Sequence, residues 1–294
     1  QKKSMVKKSG LLELVDTPES LDGIGGMDAL KDYLQHKSKV MGNLPKAIDY
    51  GVAVPKGVFI VGMPGCGKSL CAKASAKLFN TPLLKLDMGS MMGKYVGESE
   101  GNLRKAIKIA EAAAPCVLWI DEIEKAFSGV GGNNDIMTRM FGYFLSWMQD
   151  KTSSVYVIAT ANNADKLPPE LKRKGRFDEI FCVNLPNKEE RKAIFKIHIN
   201  KKKQNLDDSS LNSVSQITDG FNGADIESVV NEAVEKCFLD KLEGKDTMFD
   251  ASLLKEIAGK TISISKSCKK QIDDMKKAFK ENNFKDATTG EITT

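Results

Sequence analysis

Short apolar runs and helical periods alternate along the first two-thirds of the chain. Gly57-Val58-Phe59-Ile60-Val61 predicts a buried strand, and a helix is expected over 69–78. A second strand is expected over 82–86, a helix over 102–113, a third strand over 116–120 and a helix over 135–149. Strands over 154–159 and 179–183 complete the series. These apolar runs do not alternate with polar residues, so each strand is expected to be covered on both faces. Strand–helix alternation of this kind predicts an α/β fold with a parallel sheet, helices on its flanks and right-handed crossovers.

The pattern changes after Leu185-Pro186. Only helical periods follow, over 188–201, 225–239, 251–257 and 266–280, punctuated by Gly220, Gly223 and Gly244. The expected organisation is a lead-in segment over 1–20, Lys-rich then acidic and without a clear apolar period. A large α/β domain covers 21–186, a small all-helical domain 187–283, and a loose polar tail 284–294. No internal repeat is visible.

Composition narrows the function classes. A chain of 294 residues fits one large domain plus a smaller one. Hydrophobic residues make up 41%, enough for packed cores, which excludes wholesale disorder. No apolar run approaches the roughly 18 residues that a membrane helix needs, and no signal-peptide pattern opens the chain. A cytoplasmic location, or a plastid stroma if the source is an organelle, is expected. Residue 1 is Gln1 rather than Met, so the chain is read as part of a longer protein.

The six cysteines, Cys66, Cys71, Cys116, Cys182, Cys237 and Cys268, form no CxxC pair and read as reduced thiols. With only His36 and His198 and no HExxH, a zinc hydrolase site is hard to build. The net charge of +5 is a mild excess. The clusters Lys7-Lys8, Lys201-Lys202-Lys203 and Lys269-Lys270 are solvated faces or, with less weight, a nucleic-acid footprint.

The strongest chemical signal is Gly62-Met63-Pro64-Gly65-Cys66-Gly67-Lys68-Ser69, which fits GxxxxGK[ST] in full. A random chain of this length matches about once in a hundred, and here the match falls between an expected strand and an expected helix. The glycines let successive N–H groups turn inward around an anion. Lys68 is expected on the β- and γ-phosphates and the Ser69 hydroxyl on magnesium. The run from Pro64 through Gly65, Cys66, Gly67, Lys68 and Ser69 to Leu70 is expected to hold the nucleotide. Cys66 beside Lys68 is either a small loop residue or a thiol of lowered pKa.

Val117-Leu118-Trp119-Ile120 runs into Asp121-Glu122. A buried parallel strand delivers such acids at its C-terminal edge, where open α/β sheets bind ligands. Asp121 is expected to share the magnesium with Ser69, and Glu122 to orient and deprotonate the attacking water. The bland alternative is a strand end making salt bridges.

With these motifs in this order, the chain resembles the AAA ATPase family from about residue 21 to 279. Asp22-Gly23-Ile24-Gly25-Gly26 is similar to the family's opening of the adenine pocket, which implies roles for Gly23, Ile24 and Gly25. Asn162 falls where the family keeps its polar sensor of the γ-phosphate, although Asn162-Asn163-Ala164-Asp165 also looks turn-like. The run from Leu171 to Asp178 is similar to the arginine-finger segment. The resemblance implies that Arg173 and Arg176 reach the nucleotide of a neighbouring subunit, in a homo-oligomeric, usually hexameric, ring.

In the helical part, residues 191–198 and Gly223-Ala224-Asp225 resemble the family's lid, with Ile194 and His198 flanking adenine and Gly223 and Ala224 closing over the nucleotide. His198 reads equally as a helix-face histidine. Ala224 stands where wider AAA-plus branches place an arginine, which matches the narrow AAA branch. Phrases such as 115–123, 144–152 and 175–181 look closest to AAA proteins encoded in algal plastid genomes and found also in bacteria. Members carry an extra N-terminal region, expected to be missing from this chain.

Met92-Gly93-Lys94-Tyr95-Val96-Gly97-Glu98-Ser99-Glu100 resembles the family's first pore loop, which implies that Lys94, Tyr95 and Val96 grip a threaded polypeptide. A surface tyrosine on an ordinary loop is the alternative. Ser128 to Asn134 is either a second pore loop or a plain connector. The leading expectation is a Mg-ATP-driven ring motor that unfolds, remodels or disassembles proteins. A scaffold or switch controlled by ATP state, binding a partner without threading it, comes second. A nucleic-acid motor, resting only on the mild basic excess, comes last.

Overall fold

The computed structural model describes residues 6, 9–17, 19–86, 98–126, 135–165, 167–173 and 175–293. Among them the strands are β1 (Leu12–Val15), β2 (Gly57–Gly62), β3 (Leu83–Leu86), β4 (Cys116–Ile120), β5 (Val155–Ala161), β6 (Glu179–Val183) and β7 (Lys285–Asp286). They form one sheet in the order β1-β3-β4-β5-β2-β6-β7. From β3 to β7 every pairing is parallel, while β1 runs antiparallel to β3. Every residue of β2, β4 and β5 is buried, as expected of central strands covered on both faces.

Helices α1 (Asp28–Gly42), α2 (Leu44–Asp49), α3 (Lys68–Leu78), α4 (Glu98–Ala113), α5 (Ile123–Ala126) and α6 (Asp135–Asp150) connect or flank these strands. A second apolar core lies in the helices that follow β6: α7 (Lys188–Lys201), α8 (Asp208–Ile217), α9 (Gly223–Leu242) and α10 (Ala251–Lys260). Phe195, Ile199, Leu211, Val214, Val229, Val230 and Leu254 are among its members. Side-chain caps set the starts of these helices. Asn187 and Asn222 form capping boxes with Glu190 and Asp225, and Asp207 and Asp250 accept from the third helical N–H.

Several expectations are corrected. The segment read as a patternless lead-in holds β1, whose four residues are too short to show a period. Helices α1, α2 and α8 were not expected. In α1 only Leu30 and Leu34 are fully buried, with Tyr33 and Met41 packed partly against the core. The helix expected over 266–280 is α11 (Ile264–Ser267) followed by α12 (Lys269–Glu281), and it does not pack in the lid core. Ile272, Met275, Ala278 and Phe279 join the core of the large domain instead.

The tail expected to be loose is pinned. β7 extends the sheet beside β6, and Phe284 and Ala287 are buried in the large core. Polar residues dominate 284–293, but two apolar side chains and a set of backbone pairings order it. Phe284→Ala is expected to destabilise the protein by about 3 kcal/mol, the usual cost of emptying a phenylalanine site. Urea unfolding measures this, and a cost within experimental error of zero contradicts the packing described.

Candidate active site

Strand order builds the site. β5 lies between β2 and β4, so the C-terminal ends of the three strands stand side by side. The phosphate-loop motif leaves β2, Asp121 and Glu122 leave β4, and Asn162 leaves β5. In the loop, Gly65 and Gly67 take φ of 75° and 83°, conformations that L side chains disfavour. A Cβ on Gly65 would strike the Asn222 amide and stand 3.0 Å from the Ala224 Cβ. The loop glycine therefore also permits the lid to approach. Gly67 caps α3, whose first N–H groups lack intrahelical partners and suit an anion.

Lys68 is buried, and its Nζ donates to the carbonyls of Gly62 at 2.8 Å and Met63 at 2.7 Å. Burial holds the ammonium below its ordinary pKa range. Burial also pushes the Cys66 thiol up to about 11, overriding the opposite pull of Lys68. This corrects the lowered-pKa alternative. Cys66 stays protonated at neutral pH and is a small loop residue.

The carboxylates form a connected set. The Ser69 hydroxyl lies 3.5 Å from Asp121 Oδ1, and Thr160 donates to the same oxygen at 2.6 Å. Lys85 Nζ stands 3.6 Å from Asp121 Oδ2 and 4.6 Å from the centre of the Trp119 ring. Glu122 takes a φ of 50°, unusual for a non-glycine residue, and its N–H donates to Thr160 Oγ1 at 3.2 Å. Asn162 Nδ2 donates to Glu122 Oε1 at 2.6 Å, while Lys125 Nζ donates to Glu122 Oε2 at 2.7 Å. Behind them, buried Glu124 accepts from the Asn162 N–H at 2.8 Å, and desolvation raises its pKa. The hydroxyl of Ser69 and the carboxylate of Asp121 are hard oxygen donors of the kind magnesium prefers, and the two can share one ion.

A cleft of about 420 Å³ runs from these groups to the lid. Lys68, Ser69, Asp121, Glu122 and Asn162 line one end, with Pro64, Gly65, Cys66, Gly67 and Leu70 along the floor. Gly23, Ile24, Gly25, Ile194 and His198 line the other end, and Gly223 and Ala224 also border it. Gly25 approaches so closely that a Cβ there would stand 2.5 Å from Ile194 Cγ1. The lid touches the phosphate loop directly. Asn222 Nδ2 donates to the Pro64 carbonyl at 2.9 Å, and the Ala224 N–H to the Gly65 carbonyl at 3.2 Å. His198 lies 3.9 Å from Glu227 Oε1, and burial lowers its pKa.

Two expected residues stand apart. Arg173 and Arg176 do not line the cleft. Arg173 follows the short 3-10 turn Pro169–Lys172, and Arg176 Nη1 donates to the Glu170 carbonyl. Lys94, Tyr95 and Val96, and the loop over 128–134, lie outside the described residues. Among described residues, no group of three or more His, Cys, Asp or Glu side chains is arranged to hold a metal alone. No described helix is long and apolar enough to cross a membrane.

Sequence reasoning passed over Thr160, Glu124, Asn222, Glu190 and Thr288, all of which touch or support this site. Asn222 carried a legible signal, an Asn three residues ahead of Asp225 at a helix start. Thr160 lies in β5, two residues before Asn162, which follows the strand's end. Nothing in the local sequence marks Thr288.

The family described as "ATPase family associated with various cellular activities (AAA)" matches residues 58–185, and the "AAA+ lid domain" matches 208–248. An "Uncharacterized AAA domain-containing protein ycf46" from Guillardia theta is 43% identical over 248 residues, covering 83% of this chain and 48% of that protein. Its namesake from Trieres chinensis is 45% identical over 243 residues, covering 81% and 48%. "ATP-dependent zinc metalloprotease FTSH 7, chloroplastic" from Arabidopsis thaliana is 35% identical over 224 residues, covering 71% and 27%. The chain spans about half the length of the ycf46 relatives it matches.

Proposed function

The chain belongs to the AAA ATPase family, and from that premise we propose that it binds Mg-ATP in this cleft and hydrolyses it to ADP and phosphate. One observation carries the reading: Lys68, Ser69, Asp121, Glu122 and Asn162 converge at one end of a cleft that the lid borders. Their chemistries are complementary. Lys68 offers positive charge to the β- and γ-phosphates, in exchange for the two carbonyls that it now contacts. Ser69 and Asp121 would hold magnesium, which would neutralise charge on the phosphate oxygens. Glu122 takes the proton of the attacking water, and the Asn162 amide fixes the carboxylate and water in register. Asn222 and Ala224 tie the lid to the phosphate loop, so a change at the phosphates is felt in the lid.

Calorimetry tests the reading. The wild-type protein is expected to take up Mg-ATP, and Lys68→Ala to weaken uptake by roughly 10- to 100-fold, the scale of one hydrogen bond to a charged partner. Uptake unchanged by that substitution would place the phosphates elsewhere.

The finer reading is a ring motor acting on protein. Arg173 and Arg176 do not line their own cleft, which leaves them available to a neighbour's. Guanidinium groups suit the charge that spreads over the transferred phosphoryl group. Tyr95, flanked by Lys94 and Val96 in a glycine-bounded segment, supplies an aromatic grip on a threaded chain. Relatives named ATP-dependent zinc metalloproteases support an action on proteins, although this chain has no HExxH.

A second reading, an ATP-state-controlled scaffold, draws on the Lys125–Glu122 pair, which occupies the base and would slow turnover. The pair is solvent-exposed, and pairs of that kind are weak. Hydrolysis coupled to remodelling therefore remains the reading favoured.

A further inference from the structure

Residues 284–293 do more than close the sheet edge. The chain passes from body to lid through the short connector between β6 and α7 and returns through α11 into α12, and residues 284–293 cross the first of these passages. At one end of the connector, Asn184 Nδ2 donates to Asp286 Oδ2 at 2.7 Å. At the other, in the first turn of α7, Glu190 Oε1 accepts from Thr288 Oγ1 at 2.7 Å. The segment is itself anchored to the body. The Leu30 N–H donates to the Ala287 carbonyl at 2.9 Å, and the Ala29 N–H to that of Thr288 at 3.3 Å. The segment's own Phe284 and Ala287 are buried.

Glu190 is the meeting point. Besides Thr288, its carboxylate accepts from the Met27 N–H at 3.2 Å and from the Asn187 N–H at 2.9 Å. It also abuts Gly26, where φ is 76° and a Cβ would strike the carboxylate. Three parts of the chain thus meet on one side chain: the loop before α1, the start of the lid, and the terminal segment. Glu190 and Thr288 both line the cleft.

We propose that residues 284–293 are a strap across the body–lid hinge, and that Thr288 is a positioning residue which, through Glu190, holds α7 against the Ile24–Met27 side of the cleft. The proposal rests on the reading of the cleft as a nucleotide site. A lid held by two chain passages and by the Asn222 and Ala224 contacts can still shift against the body. A further attachment at the first passage, anchored in the body and bonded to a lid carboxylate, restricts that movement. Nucleotide binding to a lid already held in place avoids the cost of selecting one orientation among several. The strap acts on affinity without any need for Thr288 to touch the nucleotide.

The test uses the full chain with Thr288→Val, which removes the hydroxyl at nearly constant shape, and Thr288→Ser, which keeps it. Amide hydrogen exchange without nucleotide reads the hinge, and calorimetry with ADP reads the cleft. The valine variant is expected to exchange faster over 188–194 with the sheet unchanged, and to bind ADP about tenfold more weakly. The serine variant is expected to match the wild type in both. Exchange over 188–194 unchanged in the valine variant overturns the proposal. Exchange that rises equally across the sheet overturns it too, because the contact is then general stabilisation. If the wild type itself binds no ADP, the nucleotide reading fails, while the exchange data still judge the strap.

Discussion

Glu122→Gln is expected to cut ATP turnover by roughly 10³-fold while leaving ATP uptake intact, within the range of a lost general base. Glutamine is close to glutamate in shape and can still accept from Asn162 Nδ2, which stands 2.6 Å from Glu122 Oε1. What it loses is basicity, together with the ion pair to Lys125. Lys68, Ser69 and Asp121 are untouched, so phosphate and magnesium binding persist. Phosphate release followed against calorimetric binding separates the two effects. Turnover within about twofold of wild type would mean that the proton leaves by another route. The same variant, held in the ATP state, should retain a polypeptide on purification if the protein threads its substrate. Adding Tyr95→Ala should release it. Retention of bare nucleic acid would instead support the nucleic-acid motor, and retention of a stoichiometric partner indifferent to Tyr95 would support the scaffold.

A loss of about 10³-fold is also expected for the double variant Arg173→Ala and Arg176→Ala, the scale of a missing arginine finger. Its own cleft keeps every group that lines it, because neither arginine is among them. The decisive measurement is a mixture. Subunits carrying Glu122→Gln retain both arginines, and subunits lacking the arginines retain Glu122. If the site is shared, the mixture regains part of the activity that both parents lack. A mixture as inactive as its components would show that the arginines serve their own chain. Arg176 also bonds the Glu170 carbonyl, so the variant's thermal midpoint must match the wild type for the kinetic loss to count.

Much of the body was legible in the chain. Strands with both faces buried leave continuous apolar runs, and β2, β4, β5 and β6 show them within a residue or two of their observed ends. The phosphate loop was legible because anion binding by backbone N–H groups demands glycines at fixed spacing. The paired acids of Asp121 and Glu122 stood out because charge at the end of a buried strand has few other reasons to be there. By contrast β1 and β7 are too short to express a period. α1 buries only Leu30 and Leu34. In α8, Leu211 and Val214 follow the Asp207 cap at helical spacing and could have been read.

What residue types and local spacing determine by themselves is therefore the candidate chemistry: a loop suited to phosphate, a pair suited to magnesium, a candidate base and a lid. Only the tertiary structure decided which of these groups face one another. The insertion of β5 between β2 and β4 brings Asn162 to Glu122 and Thr160 to Asp121. The return of α12 and residues 284–293 to the body brings Thr288 to Glu190 across 98 positions of chain. Local sequence encodes backbone preference and burial period, which act over a few residues. Contacts between distant segments arise from how whole elements pack, and no local pattern records them.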